Sequence, residues 1–156
     1  MPQPASLDAP VNATMRRFGY PDSALAETAH WAVLVRPQQA TLGALVLACR
    51  DPAETLSRIS AEAFAEMKLL TGQIERCLKS AFAYDKINYL ALMMVDPDVH
   101  FHVLPRYAAV RRCAGVDFVD PGWPGAPQLA HVPQLPAGAL AQVTAELRRH
   151  WPAAQP

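Results

Sequence analysis

The sequence predicts an α+β fold, a mostly antiparallel sheet of about five strands with one long helix packed on it. Apolar runs of strand length lie on both sides of one stretch of helical period in a chain of 156 residues, a length that fits a single domain. None of the 15 prolines falls between Pro52 and Pro97. Because proline interrupts helices and sheets, we expect regular structure to concentrate between these two residues.

The first two strands are predicted at residues 30–36 and 44–49. The first run is β-branched and aromatic and is followed by Pro37, which cannot donate to a strand ladder. The second run is apolar and follows a loop that ends at Gly43. This arrangement predicts a hairpin with a longer loop.

The long helix is predicted at residues 60–82, with Ser60 as its N-cap. Apolar residues recur there at steps of three and four, while polar residues fall largely between them. The pattern predicts one buried stripe, made of Phe64, Met67, Leu70, Ile74, Cys77, Leu78 and Phe82.

Two further apolar runs, at residues 87–95 and 99–106, predict a second antiparallel pair. Asp96 and Pro97 interrupt the runs with residues that favour a short turn. The two strands are therefore expected to lie side by side in the sheet.

The two ends of the chain are predicted to be less regular. We expect residues 1–28 to form a partly irregular N-terminal extension and residues 29–110 to form the core. Residues 111–156 are Pro/Gly-rich and are expected to pack on the same domain, with Trp123 ordering an irregular stretch. A short helix at residues 139–150 is predicted to close the chain, because apolar residues recur on one of its faces.

Composition excludes some classes of partner. Fourteen basic and fourteen acidic side chains cancel, so the field that attracts proteins to nucleic acid polymers or anionic lipid is missing. No apolar run approaches the roughly 20 residues that span a bilayer. Because the three cysteines are odd in number and no basic start precedes an apolar stretch in residues 1–10, we expect a reduced, cytoplasmic chain.

The strand at residues 99–106 carries the candidate site. Side chains of a strand alternate between faces, so a polar set shares one side: Asp98, His100, His102, Leu104 and Arg106. The opposite side, with Val99, Phe101 and Val103, is apolar and suits a core. The two histidines stand ~7 Å apart along the backbone and can act on one small ligand.

Imidazole suits nucleophilic and proton-transfer chemistry, because its pKa near 6.5 leaves a neutral nitrogen available at cellular pH. A phosphorus centre is a natural electrophile for that nitrogen. One histidine can attack a phosphoryl group while its neighbour and Arg106 contact the phosphate oxygens and the departing group.

The run Val99-His100-Phe101-His102-Val103-Leu104-Pro105-Arg106 resembles the signature strand of the histidine triad family. That pattern is three histidines at alternate positions, followed by two apolar residues and often Pro-Arg. The resemblance covers residues 31–107 and includes Gly43 before the second strand, the long helix, and the strand with Asn88. It implies a histidine triad-like α+β fold.

The resemblance also implies a function. His100 holds the position of the middle histidine, the nucleophile that forms a nucleotidyl-histidine intermediate on the α-phosphate. His102 holds the third position, which contacts phosphate oxygens and the leaving group. Members of the family are mostly nucleotide hydrolases and transferases, including diadenosine polyphosphate hydrolases and nucleoside phosphoramidases, and are commonly homodimers. No metal or other cofactor is expected, since none is needed to generate a histidine nucleophile.

Two departures from the family pattern leave alternatives open. Asp98 stands where the first histidine of the triad normally lies, and Met93 to Pro97 replace a loop that bears hydrogen-bond donors for phosphate. Asn88, Asp98 and Arg106 are predicted to bind substrate, although Asn88 and Arg106 also suit structural roles. The alternatives are a non-catalytic nucleotide-binding module and a metal-dependent hydrolase with Asp98, His100 and His102 as ligands.

Overall fold

Five antiparallel strands form the main sheet in the computed structural model, which describes residues 9–153. In spatial order the strands are β1 (Ala24–Glu27), β2 (Trp31–Val35), β3 (Leu45–Cys49), β5 (His100–Arg106) and β4 (Lys86–Leu90). A second, two-stranded sheet pairs β6 (Arg111–Cys113) with β7 (Val116–Phe118). The helices are α1 (Ala13–Arg17), α2 (Ala61–Phe82) and α3 (Ala139–His150), with one 3-10 turn at Leu56–Arg58. This architecture confirms the predicted α+β class.

The two faces of the sheet are covered differently. One face packs against α2 and α3 in the largest apolar cluster, where side chains of β2 and β3 meet Leu70, Ile74 and Leu147. The other face carries a smaller cluster in which Met15 of α1 packs on β2 and β3. The short helix α1 covers only part of that face, and His100 and His102 project from it.

Alternation along β5 follows the prediction. Val99 and Val103 are buried in the cluster shared with α2, and Phe101 packs against it. His100 and His102 lie on the opposite face, beside Ala48 and Val46 of β3.

The long helix begins at the predicted cap, because the Ser60 hydroxyl accepts a hydrogen bond from the amide of Ala63 at 3.1 Å. Its buried stripe differs from the prediction at one end. Phe64 is 42% exposed, whereas Glu66 is buried and accepts hydrogen bonds from Thr28 and His30. At the first turns of the helix, Glu66 and not Phe64 faces the core, because Glu66 forms these hydrogen bonds. A pattern of apolar residues alone cannot predict a buried polar cluster of this kind.

The strand predicted at residues 87–95 ends earlier, at Leu90. Met93 has a positive φ of 43°, a conformation that cannot continue a strand. Met94 and Val95 are 80% and 78% exposed. Residues 91–97 therefore form a loop, and the apolar run that predicted a strand lies partly on the surface.

Both flanking segments contain structure that the sequence did not predict. The segment 1–28 holds α1 and β1, and β1 pairs with β2 at the edge of the sheet. In the segment 111–156, β6 and β7 precede α3, whose bounds match the predicted helix. Within residues 9–153, no helix is both long and apolar enough to cross a membrane.

Candidate active site

His100 and His102 form a close pair on the partly covered face of the sheet. Their ring centroids are 5.1 Å apart, with the rings nearly perpendicular. The cross-strand neighbours on β3 are Ala48 beside His100 and Val46 beside His102. Because these neighbours are small and apolar, the two imidazoles stand clear of other polar side chains of that strand.

The tautomer of His100 is fixed by its own strand. Its Nδ1 lies 2.7 Å from the carbonyl oxygen of Asp98. A carbonyl can only accept, so Nδ1 donates, and in the neutral ring the lone pair belongs to Nε2. No side chain or backbone group among residues 9–153 forms a hydrogen bond with that Nε2. In the neutral tautomer, Nε2 therefore carries the lone pair and has no partner among the described residues, although the residue is only 2% exposed.

Helix α1 reaches the histidines through Phe18. The Phe18 ring lies 5.8 Å from the His100 ring and 5.7 Å from the His102 ring, between centroids. The helix is attached to the segment just before β5 by Asp98, whose Oδ2 accepts from the hydroxyl of Thr14 at 2.8 Å and from its amide at 3.4 Å. The Asp98 carboxylate is therefore engaged with α1.

His102 is held neutral. Burial is the main cause that lowers its pKa to about 4, and the neighbouring His100 and Arg36 lower it further. Its Nδ1 is buried without a hydrogen-bond partner among residues 9–153. At neutral pH this ring can contact a phosphate oxygen by hydrogen bonding but carries no charge to offer it.

A cavity of about 470 Å³ opens beside the two histidines. Its polar wall includes Arg36 and Gln38 after β2, and Arg17 at the end of α1. The loop after β4 supplies Leu92, Met94 and Val95, which offer no side-chain donor, and Asp96, whose carboxylate lies 3.2 Å from Nε of Arg17. A cavity of this size suits a small ligand such as a nucleotide, since small-molecule sites range from about 300 to 1,000 Å³.

The amino-acid sequence matches no protein-family model and no curated protein. Solved structures match it along nearly the whole chain. A histidine triad protein from Sinorhizobium meliloti has a TM-score of 0.70 at 17% identity, covering 92% of this chain and 97% of its own. One from Marinobacter aquaeolei has a TM-score of 0.68 at 21% identity, covering 90% and 94%. A histidine triad protein from Bradyrhizobium japonicum has a TM-score of 0.63 at 21% identity, covering 90% of this chain and 96% of its own.

The chain has the histidine triad fold. Identity at this level shows the fold alone, so chemistry must be argued from the side chains that this fold brings together. The histidine triad fold here brings His100 and His102 of β5, Phe18 at the end of α1 and Arg36 just after β2 into one cavity. Phe18 and Arg36 were missed by sequence reasoning.

The predicted phosphate ligand Arg106 lies outside this cavity. Its Nε and Nη2 donate to both carboxylate oxygens of Asp120, at 2.7 and 3.0 Å. Its Nη1 donates to Oδ1 of Asn88 and to the carbonyl of Gly125. These hydrogen bonds fasten residues 120–125 to β4 and β5. The substrate contacts predicted for Arg106 and Asn88 stay predictions.

A periodicity signal for Arg36 was present in the sequence. Alternation along β2 places Ala32, Leu34 and Arg36 on one face, and the register through β3 makes this the histidine face. The sequence alone did not give that register, so the shared face was not recognised.

The geometry does not support the alternative of a metal-dependent hydrolase with Asp98, His100 and His102 as ligands. Across residues 9–153, no three His, Cys, Asp or Glu side chains come together in an arrangement that could hold a metal ion. Asp98 turns its carboxylate to Thr14. The three predicted ligands therefore do not converge.

Proposed function

We propose that the protein is a nucleotide hydrolase or nucleotidyl transferase that acts at the α-phosphate of a nucleotide or dinucleoside polyphosphate. The observation that carries the proposal is the free Nε2 of His100, fixed by the Nδ1 contact with the Asp98 carbonyl and facing a nucleotide-sized cavity. The histidine triad fold of the neighbours supports the same chemistry.

In the first step, Nε2 of His100 forms a bond to the α-phosphorus, and the bond from phosphorus to the leaving group breaks. A polyphosphate or nucleotide leaving group departs with the bonding electrons. The ring becomes positively charged, and the 2.7 Å contact from Nδ1 to the Asp98 carbonyl stabilises that charge.

In the second step, water attacks the same phosphorus and the bond between phosphorus and Nε2 breaks. The electrons return to the ring, the nucleoside monophosphate is released, and the proton of the water goes to solvent or to the leaving product. A nucleotidyl transferase would use another acceptor in place of water. Neutral His102 hydrogen-bonds the phosphate oxygens in both steps.

A non-catalytic nucleotide-binding module is the second candidate. It is favoured by the loop after β4, where Leu92, Met94 and Val95 line the cavity without side-chain donors for phosphate. In that case the cavity would hold a nucleotide, and no covalent intermediate would form.

One experiment distinguishes the nucleotide hydrolase or transferase from the non-catalytic binding module. The protein is incubated with a panel of dinucleoside polyphosphates and nucleoside phosphoramidates carrying a radiolabelled α-phosphate, and acid-labile, protein-bound label is measured together with turnover. We expect label on the wild type, none on His100→Asn, and a fall in turnover on the order of 10³-fold or more for that variant.

A histidine outside the cavity provides the matched control. His131 lies half-buried in a loop and does not line the cavity, so His131→Asn should label and turn over like the wild type. Near-normal turnover by His100→Asn refutes the mechanism. Tight nucleotide binding with neither label nor turnover would establish the binding module instead.

The resemblance further suggests a homodimer and a cytoplasmic location, and both stay predictions. Sedimentation equilibrium of the purified protein at micromolar concentration checks the first. Fractionation of cells that produce the chain checks the second.

A further inference from the structure

Arg36 is a buried cation whose charge no carboxylate among residues 9–153 balances. Its exposed fraction is 7%. Among residues 9–153 it forms no ion pair, and its one side-chain hydrogen bond runs from Nη1 to the carbonyl of Gln38, at 2.6 Å. Its Nε has no partner. A guanidinium has five N–H donors, so most of the hydrogen-bonding capacity of Arg36 is unused by the chain.

The other buried arginines show what the chain does with a charge that serves the fold. Arg106 is 4% exposed and is paired with Asp120. Arg50 is 3% exposed, donates to Glu27 at 2.6 Å, and also contacts the carbonyl of Pro10. Burying a charge without a partner is costly, so the absence of a carboxylate at Arg36 calls for a negative group from outside the chain.

The position of Arg36 connects it with the histidines. Its amide donates to the carbonyl of Ala44 at 3.0 Å, which extends the β2–β3 ladder by one residue. The row of side chains before it on this face runs from Leu34 through Val46 to His102. Arg36 thus stands one row beyond His102 on the same face and lines the same cavity.

Electrostatics agree with that placement. The positive charge of Arg36 is one of the causes that lower the pKa of His102, after burial and His100. Burial lowers the pKa of Arg36 as well, because the surroundings disfavour the charged form. An anion placed between Arg36 and His102 would favour the charged forms of both side chains, and would therefore oppose the lowering of both pKa values.

We infer that Arg36, the buried arginine of the cavity, binds an anion there and holds a phosphate group of the ligand in place of the donors that the loop after β4 lacks. The inference rests on the proposed function and deepens it, since it selects phosphorylated nucleosides over neutral ones. A charged, planar donor group suits phosphate oxygens better than the methionine and valine of the loop.

The test compares two ligands that differ only in the phosphate. Adenosine 5′-monophosphate has no leaving group to lose, so it probes binding without turnover, and adenosine serves as its neutral counterpart. Titration calorimetry with the wild type should show at least about tenfold tighter binding of the monophosphate. In Arg36→Gln that preference should fall to within about twofold, with adenosine binding unchanged. Arg36→Lys should retain part of the preference.

Arg112 provides the matched control. It is exposed, pairs with Asp117, and does not line the cavity. Arg112→Gln should bind both ligands like the wild type. A melting curve of each variant, recorded with and without inorganic phosphate, checks folding: the wild type and Arg112→Gln should be stabilised by phosphate, and Arg36→Gln should not.

Failure of the inference and failure of the proposed function give different results. If Arg36→Gln keeps the wild-type preference for the monophosphate, the inference is wrong, and covalent labelling of His100 can still succeed. If no nucleotide labels or binds the protein but inorganic phosphate stabilises the wild type and not Arg36→Gln, the anion site stands and the nucleotide function fails.

Discussion

Arg36 and Arg106 are both buried, and each lies at the end of a strand in the main sheet, but their surroundings differ. Arg106 has a carboxylate on two of its nitrogens and carbonyl-type acceptors on the third. Arg36 has one backbone carbonyl and no carboxylate among residues 9–153. The comparison shows that burial of an arginine does not identify its role; the balance of its charge does.

The difference also explains why the sequence favoured the other arginine. Arg106 shares a strand and a face with His100 and His102, and the prediction followed that local pattern. Its partner Asp120 lies 14 residues later in an irregular segment, and alternation along a strand carries no information on such a contact. Arg36 is distant in sequence from the histidines and reaches them only through the register of β3.

The largest expected effect separates the two arginines by stability. Arg106→Met leaves the Asp120 carboxylate buried without its cation and should lower the free energy of unfolding by about 3–5 kcal/mol. Arg36→Met removes a buried charge that has no carboxylate partner, so it should change stability by less than about 1 kcal/mol or raise it. Urea unfolding at pH 7 with a common slope measures both.

Equal losses of unfolding free energy in Arg106→Met and Arg36→Met would contradict the comparison. They would show that the packing of the long side chain, and not the balance of its charge, determines how much stability is lost. Arg112→Met, at an exposed position, provides the baseline for removal of an arginine and should stay within about 0.5 kcal/mol of the wild type.

The next effect is a pH dependence of stability that belongs to His102. In the folded state its pKa is about 4, against 6.5 ordinarily. As the pH falls below 6.5, the unfolded chain takes up a proton that the folded chain refuses until pH 4, so stability is lost through that window. The loss is at most about 3 kcal/mol for this group, and His102→Asn should remove it from the pH profile measured by urea unfolding.

The same histidine sharpens the comparison of the two arginines. Arg36 lowers the pKa of His102, so Arg36→Met should raise that pKa in an NMR titration of the ring. Arg106 is neutralised by Asp120 and is not among the causes of the shift, so Arg106→Met, if it remains folded, should leave it in place. A His102 pKa that Arg36→Met does not move would place the guanidinium too far from the histidines to share a ligand with them.

Patterns of period 2 and 3.6 predicted the strands β2, β3 and β5 and the helices α2 and α3, because each buries one face against a large apolar cluster. They did not predict α1 and β1. The first is only five residues long, and the second is an edge strand with three half-buried residues and one exposed one. Elements of this kind depend on tertiary contacts more than on their own sequence.

For the candidate site, the pattern predicted which residues of β5 share a face, and the structure shows His100 and His102 together on it. The rest of the cavity comes from four separate segments, and the contacts that bring them together are long-range. The Asp98 contact with Thr14 joins residues 84 positions apart. Asp98, at which the resemblance predicts a departure from the family pattern, is the residue that makes this contact.

The smallest effect concerns that contact. Helix α1 is too short to be stable alone, so its position over the histidines depends on Met15 in the apolar cluster and on Thr14 bound to Asp98. Thr14→Val keeps the shape but removes the hydroxyl donor, and should cost about 1–2 kcal/mol of stability. Because Phe18 would then be less firmly held against the rings, turnover should fall while His100 still accepts label.

The same contact can be weakened from the side of Asp98. Asp98→Asn, which keeps an acceptor for Thr14, should lose less stability and less turnover than Asp98→Ala. If Asp98→Ala and Thr14→Val add independently in a double-mutant cycle, the hydrogen bond from the Thr14 hydroxyl to Asp98 does not help to place α1.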